Sequence, residues 1–463
     1  MVRWASATAL LSLLVASLAG GATAVAGSGK SWDPSGGKAI AHRQDGKVLK
    51  GASHARRAPE ADLYNVGYDA VEPTLGITKK GHVFYTAAGT RNEVLRSSNQ
   101  GKTWKVVSPQ LGGQNVHAIS LDPYIWVDED TDRVFTIDLT VACSLMSFSD
   151  DLGKSWTTNP LACGRPVNDH QTLFGGPPAT STTVGYDSVL YYCWNDVATS
   201  SCGKSIDGGI GWRATGSPAF HAGDGTEGQG LPGDCGGLHG HGVVGRDGTV
   251  YLPKEHCERP FLAISKDEGL TWERVQVANQ LAIWGPDPSV AVDAKGNIYY
   301  LFISKGRVPY LSYSRNGGKS WSKPMMVGAP GVTETALATL DVGGPGKVAI
   351  AYYGTDDVQG KVENRKYDEK TRWHGYLTMS ADVFAKDPVF YSGTINNTAD
   401  ALAMRECGPR RCYDALDFID VVVGPDGTPW TSMTDNCVLV CGGATALHPN
   451  GIVGRFVGGP SLR

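Results

Sequence analysis

The chain has 463 residues, a formal net charge of −4 and 41% hydrophobic residues. This charge excludes the strongly basic surface on which binding to nucleic acid or an anionic membrane depends, so we expect neither partner. Sixty glycines and twelve tryptophans, without low-complexity sequence, indicate many tight turns, which is typical of all-β repeat folds.

The N-terminus carries the three zones of a secretory signal peptide. Arg3 supplies positive charge, residues 9–18 are apolar, and residues 22–26 offer small-residue cleavage sites. The apolar run is too short to cross a bilayer, and no later segment approaches about 18 continuous apolar residues. We therefore predict a signal peptide over 1–26, a secreted protein without a membrane span, and a flexible, polar lead-in over 27–60.

Ten cysteines fit an exported protein, because an even number in an oxidising compartment predicts disulfides. The sequence does not determine the connectivity, but pairing between neighbours would staple individual loops. The expected pairs are Cys143–Cys163, Cys193–Cys202, Cys235–Cys257, Cys407–Cys412 and Cys437–Cys441. A thiolate zinc site is disfavoured because no two Cys-x-x-Cys units occur.

An internal repeat determines the predicted fold. Five segments, here called the repeat turns, share the pattern Ser-x-Asp/Asn-x-Gly-x-Ser/Thr-Trp: Ser97–Trp104, Ser149–Trp156, Ser205–Trp212, Ser265–Trp272 and Ser314–Trp321. The third carries Gly211 in place of Ser or Thr. We expect the Asp or Asn to cap backbone N–H groups two residues on, the glycine to allow positive φ, and the tryptophan to pack on a neighbouring sheet. Their starts are 52, 56, 60 and 49 residues apart, which is the spacing of propeller blades.

The motif is the Asp-box, and from about Tyr64 onwards the chain resembles the β-propellers of the sialidase superfamily. The resemblance implies an all-β propeller domain over 61–463, with the repeat turns on the rim opposite the functional site. Strand–turn–strand patterns between the repeats place inner-strand starts near Glu72, Asp122, His170, His241, Asp287, Glu334 and Asp417. This number favours seven four-stranded blades. Six, as in sialidases, is the alternative if the last two segments form one irregular blade.

Inner-strand starts and the loops between second and third strands share one face of a propeller, and here they are rich in ionisable groups. The candidate catalytic residues are His170, His239, His241, Asp169, Asp287 and Glu334. The candidate substrate-binding residues are Arg91, Trp194, Arg259, Arg307, His256 and Asp417. A funnel that gathers carboxylates, imidazoles and cations is typical of a ligand site. The alternative for each residue is a capped turn or a polar channel wall.

The pair His239 and His241 stands out, because residues two apart on a strand point to the same side. A Cys235–Cys257 bridge would bring His256 beside them. Three imidazoles near one point suit a zinc ion or a proton-transfer base, and hydrogen-bonded histidines are the alternative. We expect no required cofactor; a divalent cation at this pair or in the central channel is the open alternative.

The enzyme class follows from a comparison with the family's catalytic residues. Sialidases have an early Phe/Tyr-Arg-Ile-Pro motif whose arginine joins two others to hold a substrate carboxylate. The corresponding strand here, Val71–Thr78, contains no arginine, which disfavours an exo-α-sialidase. The resemblance therefore implies a monomeric, glycan-cleaving propeller, either a glycosidase with a carboxylate pair or a uronate-directed lyase with a histidine base. The alternative is a non-catalytic propeller that binds a glycan or a protein, with Trp194 stacking on a sugar ring.

Overall fold

The computed structural model describes residues 37–463 apart from 89–90, 118, 121, 140–143, 162–167, 197–198, 222–237, 283–286, 359–370, 397, 399–400, 403–416 and 436–448. The chain divides into a unit over 1–32, which lies outside the described residues, and a unit from Asp33 to Arg463. In the described part, no helix has the length and hydrophobicity required to cross a membrane.

The second unit begins with β1 (Ile40–His42), helix α1 (Ala52–Arg57) and β2 (Glu60–Asp69). Blade one contains β3 (Leu75–Ile77), β4 (Val83–Ala88), β5 (Asn92–Ser97) and β6 (Lys105–Val106). A hairpin of β7 (Gln110–Leu111) and β8 (Gln114–Asn115) follows. Blade two contains β9 (Tyr124–Val127), β10 (Val134–Ile137), β11 (Ser144–Ser149) and β12 (Thr157–Leu161). Blade three contains β13 (Asp169–Gly176), β14 (Val189–Asn195), β15 (Thr199–Ser205), β16 (Arg213–Ala214) and the extra strand β17 (Phe220–His221).

Blade four contains β18 (Val243–Val244), β19 (Val250–His256), β20 (Arg259–Ser265) and β21 (Glu273–Gln276). Blade five contains β22 (Ser289–Val292), β23 (Ile298–Ile303), β24 (Pro309–Ser314) and β25 (Met325–Met326). Blade six contains β26 (Glu334–Val342), β27 (Val348–Thr355), β28 (His374–Ser380) and β29 (Phe390–Thr394), and blade seven contains β30 (Asp420–Val423), β31 (Pro429–Asp435) and β32 (Asn450–Val457).

The ring has seven blades, as predicted, and the N-terminal strands complete the last two. Strand β2 pairs with β32 and is the fourth strand of blade seven, whose other three strands come from the C-terminal part of the chain. Strand β1 pairs with β29 and is a fifth strand of blade six. Six blades are excluded because β26–β29 and β30–β32 belong to separate sheets. Residues 40–42, assigned from sequence to the lead-in, therefore form part of a sheet.

The hydrophobic core lies between adjacent blades, where alternate side chains of facing sheets meet. Tyr299 and Leu301 of blade five, for example, pack in one cluster with Ile350 and Tyr352 of blade six, and all four are fully buried. The repeat-turn tryptophans extend these cores to the rim. The indole nitrogens of Trp156 and Trp272 donate to the carbonyl oxygens of Val107 and Ser217 in the preceding blade, at 2.7 and 3.1 Å, so these two turns also bind their neighbouring blade.

The five repeat turns connect the third and fourth strands of blades one to five. Because consecutive strands run in opposite directions, these turns lie on the rim opposite the inner-strand starts. In the second turn, Gly153 N–H donates to Ser149 Oγ at 2.8 Å, and Ser155 N–H donates to Asp151 Oδ1 at 2.9 Å. Our expectation that the carboxylate caps N–H groups two residues on is wrong. It reaches four residues on, because Leu152 and Gly153 both have positive φ and turn the chain back towards Asp151.

Side chains from one inner strand also bind the backbone of the next. Inner strands leave N–H groups unpaired on their channel side, and such groups need an acceptor. The acceptors are Thr74 Oγ1 for Ile125 N–H, Asp122 Oδ2 for His170 N–H, Ser289 Oγ for Leu340 N–H, Asp341 Oδ2 for Val423 N–H and Asp420 Oδ2 for Leu75 N–H, at 2.7 to 3.2 Å. These bonds hold neighbouring blades in register around the channel.

The disulfide prediction is confirmed for Cys193–Cys202, which joins directly paired residues of β14 and β15. Cys257 is also disulfide-bonded, to a cysteine outside the described residues. The predicted pairs Cys143–Cys163, Cys407–Cys412 and Cys437–Cys441 lie outside the described residues.

Candidate functional site

The inner strands of blades one, three and six begin with the same irregularity. Glu72, His170 and Leu337 have φ values of 48°, 49° and 51°, a left-handed conformation that is uncommon for residues other than glycine. The register of β13 shifts between Asp169 and Thr172, and that of β26 shifts between Ala336 and Thr339, so one extra residue is inserted at each start. Strain of this kind concentrates at ligand sites because the surrounding structure must enforce it.

A cavity with about 330 Å³ of empty space, part of it open to solvent, lies where the inner strands of blades three to seven begin. Its chemistry comes from six of the lining residues: His170, His241, Asp287, Leu337, Asp417 and Phe418. Among the described residues that line the cavity, none is a lysine or an arginine. The pocket therefore offers carboxylates, imidazoles and one aromatic ring.

His170 is the central charged group of this cavity. Its Nε2 atom lies 2.5 Å from Asp287 Oδ2, and its backbone N–H donates to Asp122 Oδ2 at 3.0 Å. Burial by itself would lower the pKa of His170, but the ion pair with Asp287 and the nearby carboxylates of Asp122 and Asp417 raise the pKa to about 9. The ring is therefore a cation at neutral pH. Its Nδ1 atom is buried and has no hydrogen-bond partner within the described part of the chain.

His239 and His241 both lie beside His170, with ring centroids 6.0 and 5.8 Å from its ring. Burial, together with the charge of His170, lowers the pKa of His239 to about 3 and that of His241 well below its usual value. Both rings are therefore neutral. The Nδ1 atom of His239 lies 2.9 Å from the carbonyl oxygen of Gly240, which makes Nδ1 the donor. The Nε2 atoms of both histidines are buried and have no hydrogen-bond partner among the residues described.

The carboxyl groups beside His170 fall into two classes. Asp287 forms an ion pair with the imidazolium, which favours its ionised form. Burial, followed by repulsion from Asp169 and Asp417, raises the pKa of Asp122 to about 7. Asp122 therefore retains a proton close to neutral pH.

The cavity brings together four of the predicted site residues, His170, His241, Asp287 and Asp417, with His239 and Asp169 beside them. Glu334 instead pairs with Arg307, whose Nε atom lies 2.5 Å from Glu334 Oε2. Arg91 is exposed ahead of β5, and Arg259 begins β20. None of these four lines the cavity.

Two predicted substrate contacts, Trp194 and His256, lie in packed interiors away from the cavity. Trp194 is 3% exposed and its ring stacks on Tyr192 at 5.5 Å. His256 is 5% exposed and lies between the rings of Phe220 and Phe261. Both belong to second strands, whose side chains face the neighbouring blades, and this buries them.

Sequence reasoning missed Phe418 and Leu337. The Phe418 ring meets His170 and His241 edge-on, at centroid distances of 5.3 and 5.4 Å. Its position next to Asp417 was the available signal, but an apolar residue at a strand start is usually part of the core. Nothing in the sequence indicated that Leu337 lines the site, because leucine does not favour the left-handed backbone conformation that it adopts there.

A divalent cation at His239 and His241 or in the central channel was the open alternative to a site without a cofactor. Among the described residues, no three His, Cys, Asp or Glu side chains are arranged to hold a metal ion. Because their pKa values are lowered, His239 and His241 are neutral hydrogen-bonding groups.

No protein-family model and no curated protein matches this sequence. Solved structures do match: YCF48 bound to D1 peptide has 12% identity over 86% of this chain and 96% of that chain, with a TM-score of 0.48. The intramolecular trans-sialidase from Ruminococcus gnavus has 13% identity over 85% and 95%, with a TM-score of 0.40. The Aleuria aurantia lectin in complex with Fucalpha1-6GlcNAc has 10% identity over 71% and 96%, with a TM-score of 0.42. At these identities the similarity concerns the propeller fold alone.

Proposed function

We propose that the protein hydrolyses a glycan in the cavity formed by the inner-strand starts. One observation carries this proposal: Asp287, which pairs with the imidazolium of His170 at 2.5 Å, shares a cavity with a second carboxyl group, that of Asp417. Glycoside hydrolysis needs such a pair, in which one carboxyl group donates a proton and the other remains charged.

The roles follow from position. Asp287 lines the cavity and is charged, so it acts as the general base or the nucleophile. Asp417 is the second carboxyl group that lines the cavity, so we assign it the delivery of the proton to the leaving oxygen. Asp122 acts through Asp417, with which it interacts electrostatically, because a negative charge close to a carboxyl group favours its protonated form.

The same cavity supplies contacts for a sugar. The Nδ1–H of the charged His170 is available to a hydroxyl oxygen, and the neutral His241 Nε2 can accept a hydrogen bond. Phe418 offers an apolar ring to the C–H face of a sugar. A uronate or sialate carboxylate is best held by an arginine fork, and the lining residues that the structure describes include no arginine. The site therefore favours a neutral glycan, and hydrolysis over a uronate-directed lyase.

We extend the proposal to location: the protein is secreted and acts on an extracellular glycan. The order of charged, apolar and small residues at the N-terminus supports this, as does the Cys193–Cys202 disulfide. Fractionation of producing cells, with N-terminal sequencing, tests it. Full-length protein that remains in the cytoplasm contradicts it.

Product analysis tests the activity. Mature protein is incubated with neutral oligosaccharides, uronate polysaccharides and sialosides, and the products are measured by mass spectrometry. Asp287→Asn and Asp417→Asn are compared with Asp187→Asn, an exposed residue on the opposite rim. A saturated product from a neutral glycan that the first two variants abolish and the control retains supports the proposal. An unsaturated product replaces hydrolysis by a lyase reaction, and binding without any product replaces the enzyme by a glycan-binding module.

A further inference from the structure

Glu268 occupies an unusual place in the fourth repeat turn. Its backbone is left-handed, with a φ of 58°, and the residue is 1% exposed. The matching position is Gly208 and Gly317 in the third and fifth turns and Gln100 and Leu152, also with positive φ, in the first and second. A residue other than glycine costs backbone energy there, and what distinguishes Glu268 is that its side chain is bound by a neighbouring blade.

The carboxylate of Glu268 is bound by blade three. Its Oε1 atom accepts the consecutive N–H groups of Ala179, Thr180 and Ser181 at 3.0, 2.8 and 2.8 Å. Its Oε2 atom accepts the Ser181 hydroxyl and also Lys204 Nζ, the latter at 2.6 Å. Three successive N–H groups that converge on one oxygen form an anion-binding concavity of the kind that holds phosphates and carboxylates in other proteins.

The concavity belongs to the loop between β13 and β14, on the rim that carries the repeat turns. Its donors are 87 to 89 residues from Glu268 in sequence. The carboxylate therefore bridges blade four to blade three. Burial alone would raise the pKa of Glu268, but Lys204, Ser181 and the backbone donors lower it to about 2.

We propose that the Ala179–Ser181 loop and Lys204 form a carboxylate-binding site that the protein keeps filled with its own Glu268, which latches blade four to blade three. The site lies on the opposite rim from the cavity, and the proposal does not depend on the proposed function. It has a direct chemical consequence. Glu268→Ala removes a CH₂–COO⁻ group, and acetate has the size and charge to replace it.

The test measures thermal unfolding of the full chain with and without acetate. We expect Glu268→Ala to lower Tm by about 5 °C, because it leaves the buried donors and Lys204 without their anion. Acetate at tens of millimolar should restore part of this loss, whereas chloride at the same ionic strength should not. The matched control is Glu258→Ala in the same blade. Glu258 pairs with Lys305 at 2.5 Å, but both side chains are almost half exposed, so its loss should change Tm little and acetate should have no effect.

A second variant covers the case in which Glu268→Ala does not fold. Glu268→Gln keeps one oxygen for the three N–H groups but places an amide against Lys204, so a smaller loss of Tm is expected. Amide hydrogen exchange at Thr180 and Ser181 should accelerate in either variant and slow again with acetate. A wild-type Tm in both variants overturns the proposal. An equal effect of acetate on wild type, Glu258→Ala and Glu268→Ala also overturns it, because that would be a general ionic effect.

Discussion

The two faces of the propeller treat buried charge differently. On the repeat-turn rim, the carboxylate of Glu268 is bound by five donors from a neighbouring blade. On the opposite face, the His170 cation has a charged partner on one nitrogen and, within the described residues, none on the other. A fully bonded charge rigidifies the fold, whereas a partly bonded one carries an energetic cost that a ligand can relieve. The comparison separates a stabilising contact from a candidate binding site.

The largest expected effect is on catalysis, at the incompletely bonded face. Asp287→Asn should lower kcat by about 10²- to 10⁴-fold on the glycan identified by product analysis, because the charged carboxylate is lost. The same change should lower the pKa of His170, since its ion-pair partner disappears. NMR titration of the ring checks this independently of any substrate. An unchanged His170 titration would show that the ion pair is absent in solution.

The second prediction concerns the loss of stability at alkaline pH, which depends on the charge of His170. The pKa of His170 is raised to about 9, against about 6.5 in an unfolded chain. A raised pKa of this kind contributes stability that is fully present below pH 6.5 and is lost as the pH rises through 9. We expect the Tm difference between wild type and His170→Asn to shrink over this window. Calorimetry at a series of pH values measures it, and a difference that grows with pH contradicts the assigned charge.

The third prediction concerns the loss of stability at acid pH, which depends on the charge of Glu268 on the repeat-turn rim. The pKa of Glu268 is lowered to about 2, so its contribution is present above about pH 4.5 and is lost as the pH falls through 2. The destabilisation caused by Glu268→Gln should therefore be greatest near neutral pH and should disappear in acid. Parallel melting curves of the two proteins from pH 7 to pH 2 give the result. A constant gap would mean that the negative charge contributes nothing.

The smallest expected effect concerns the repeat turns themselves. Asp151→Ala removes the oxygens that accept Ser155 N–H and the Ser155 hydroxyl, at 2.9 and 2.6 Å, and should cost about 1 kcal/mol of unfolding free energy. Asp151→Asn should be almost neutral, because Asn99 and Asn316 already form the equivalent bonds in two other turns. Denaturant unfolding of the two variants distinguishes them, and equal losses would show that the charge matters more than the acceptor.

The sequence predicted the blades better than it predicted the site. Each repeat turn lies within eight consecutive residues, so its hydrogen bonds depend on local spacing that can be read directly. The site depends on which side chains of separate blades meet. The strand starts that carry His170, His241 and Asp287 were correctly predicted to lie on one face. The same reasoning also assigned Trp194 and His256 to the site, but these two side chains are buried in the packed interior.

The sequence by itself thus determined a propeller of repeated blades, favoured seven of them and the Cys193–Cys202 bridge, and indicated the face where ionisable residues gather, because these follow from short-range patterns repeated along the chain. Only the tertiary structure decided that Phe418 joins the histidines, that Glu334 pairs with Arg307, and that Glu268 binds a loop 87 residues away. The physical reason is the same in each case. These contacts join different blades, and their formation depends on the closed ring rather than on any local sequence preference.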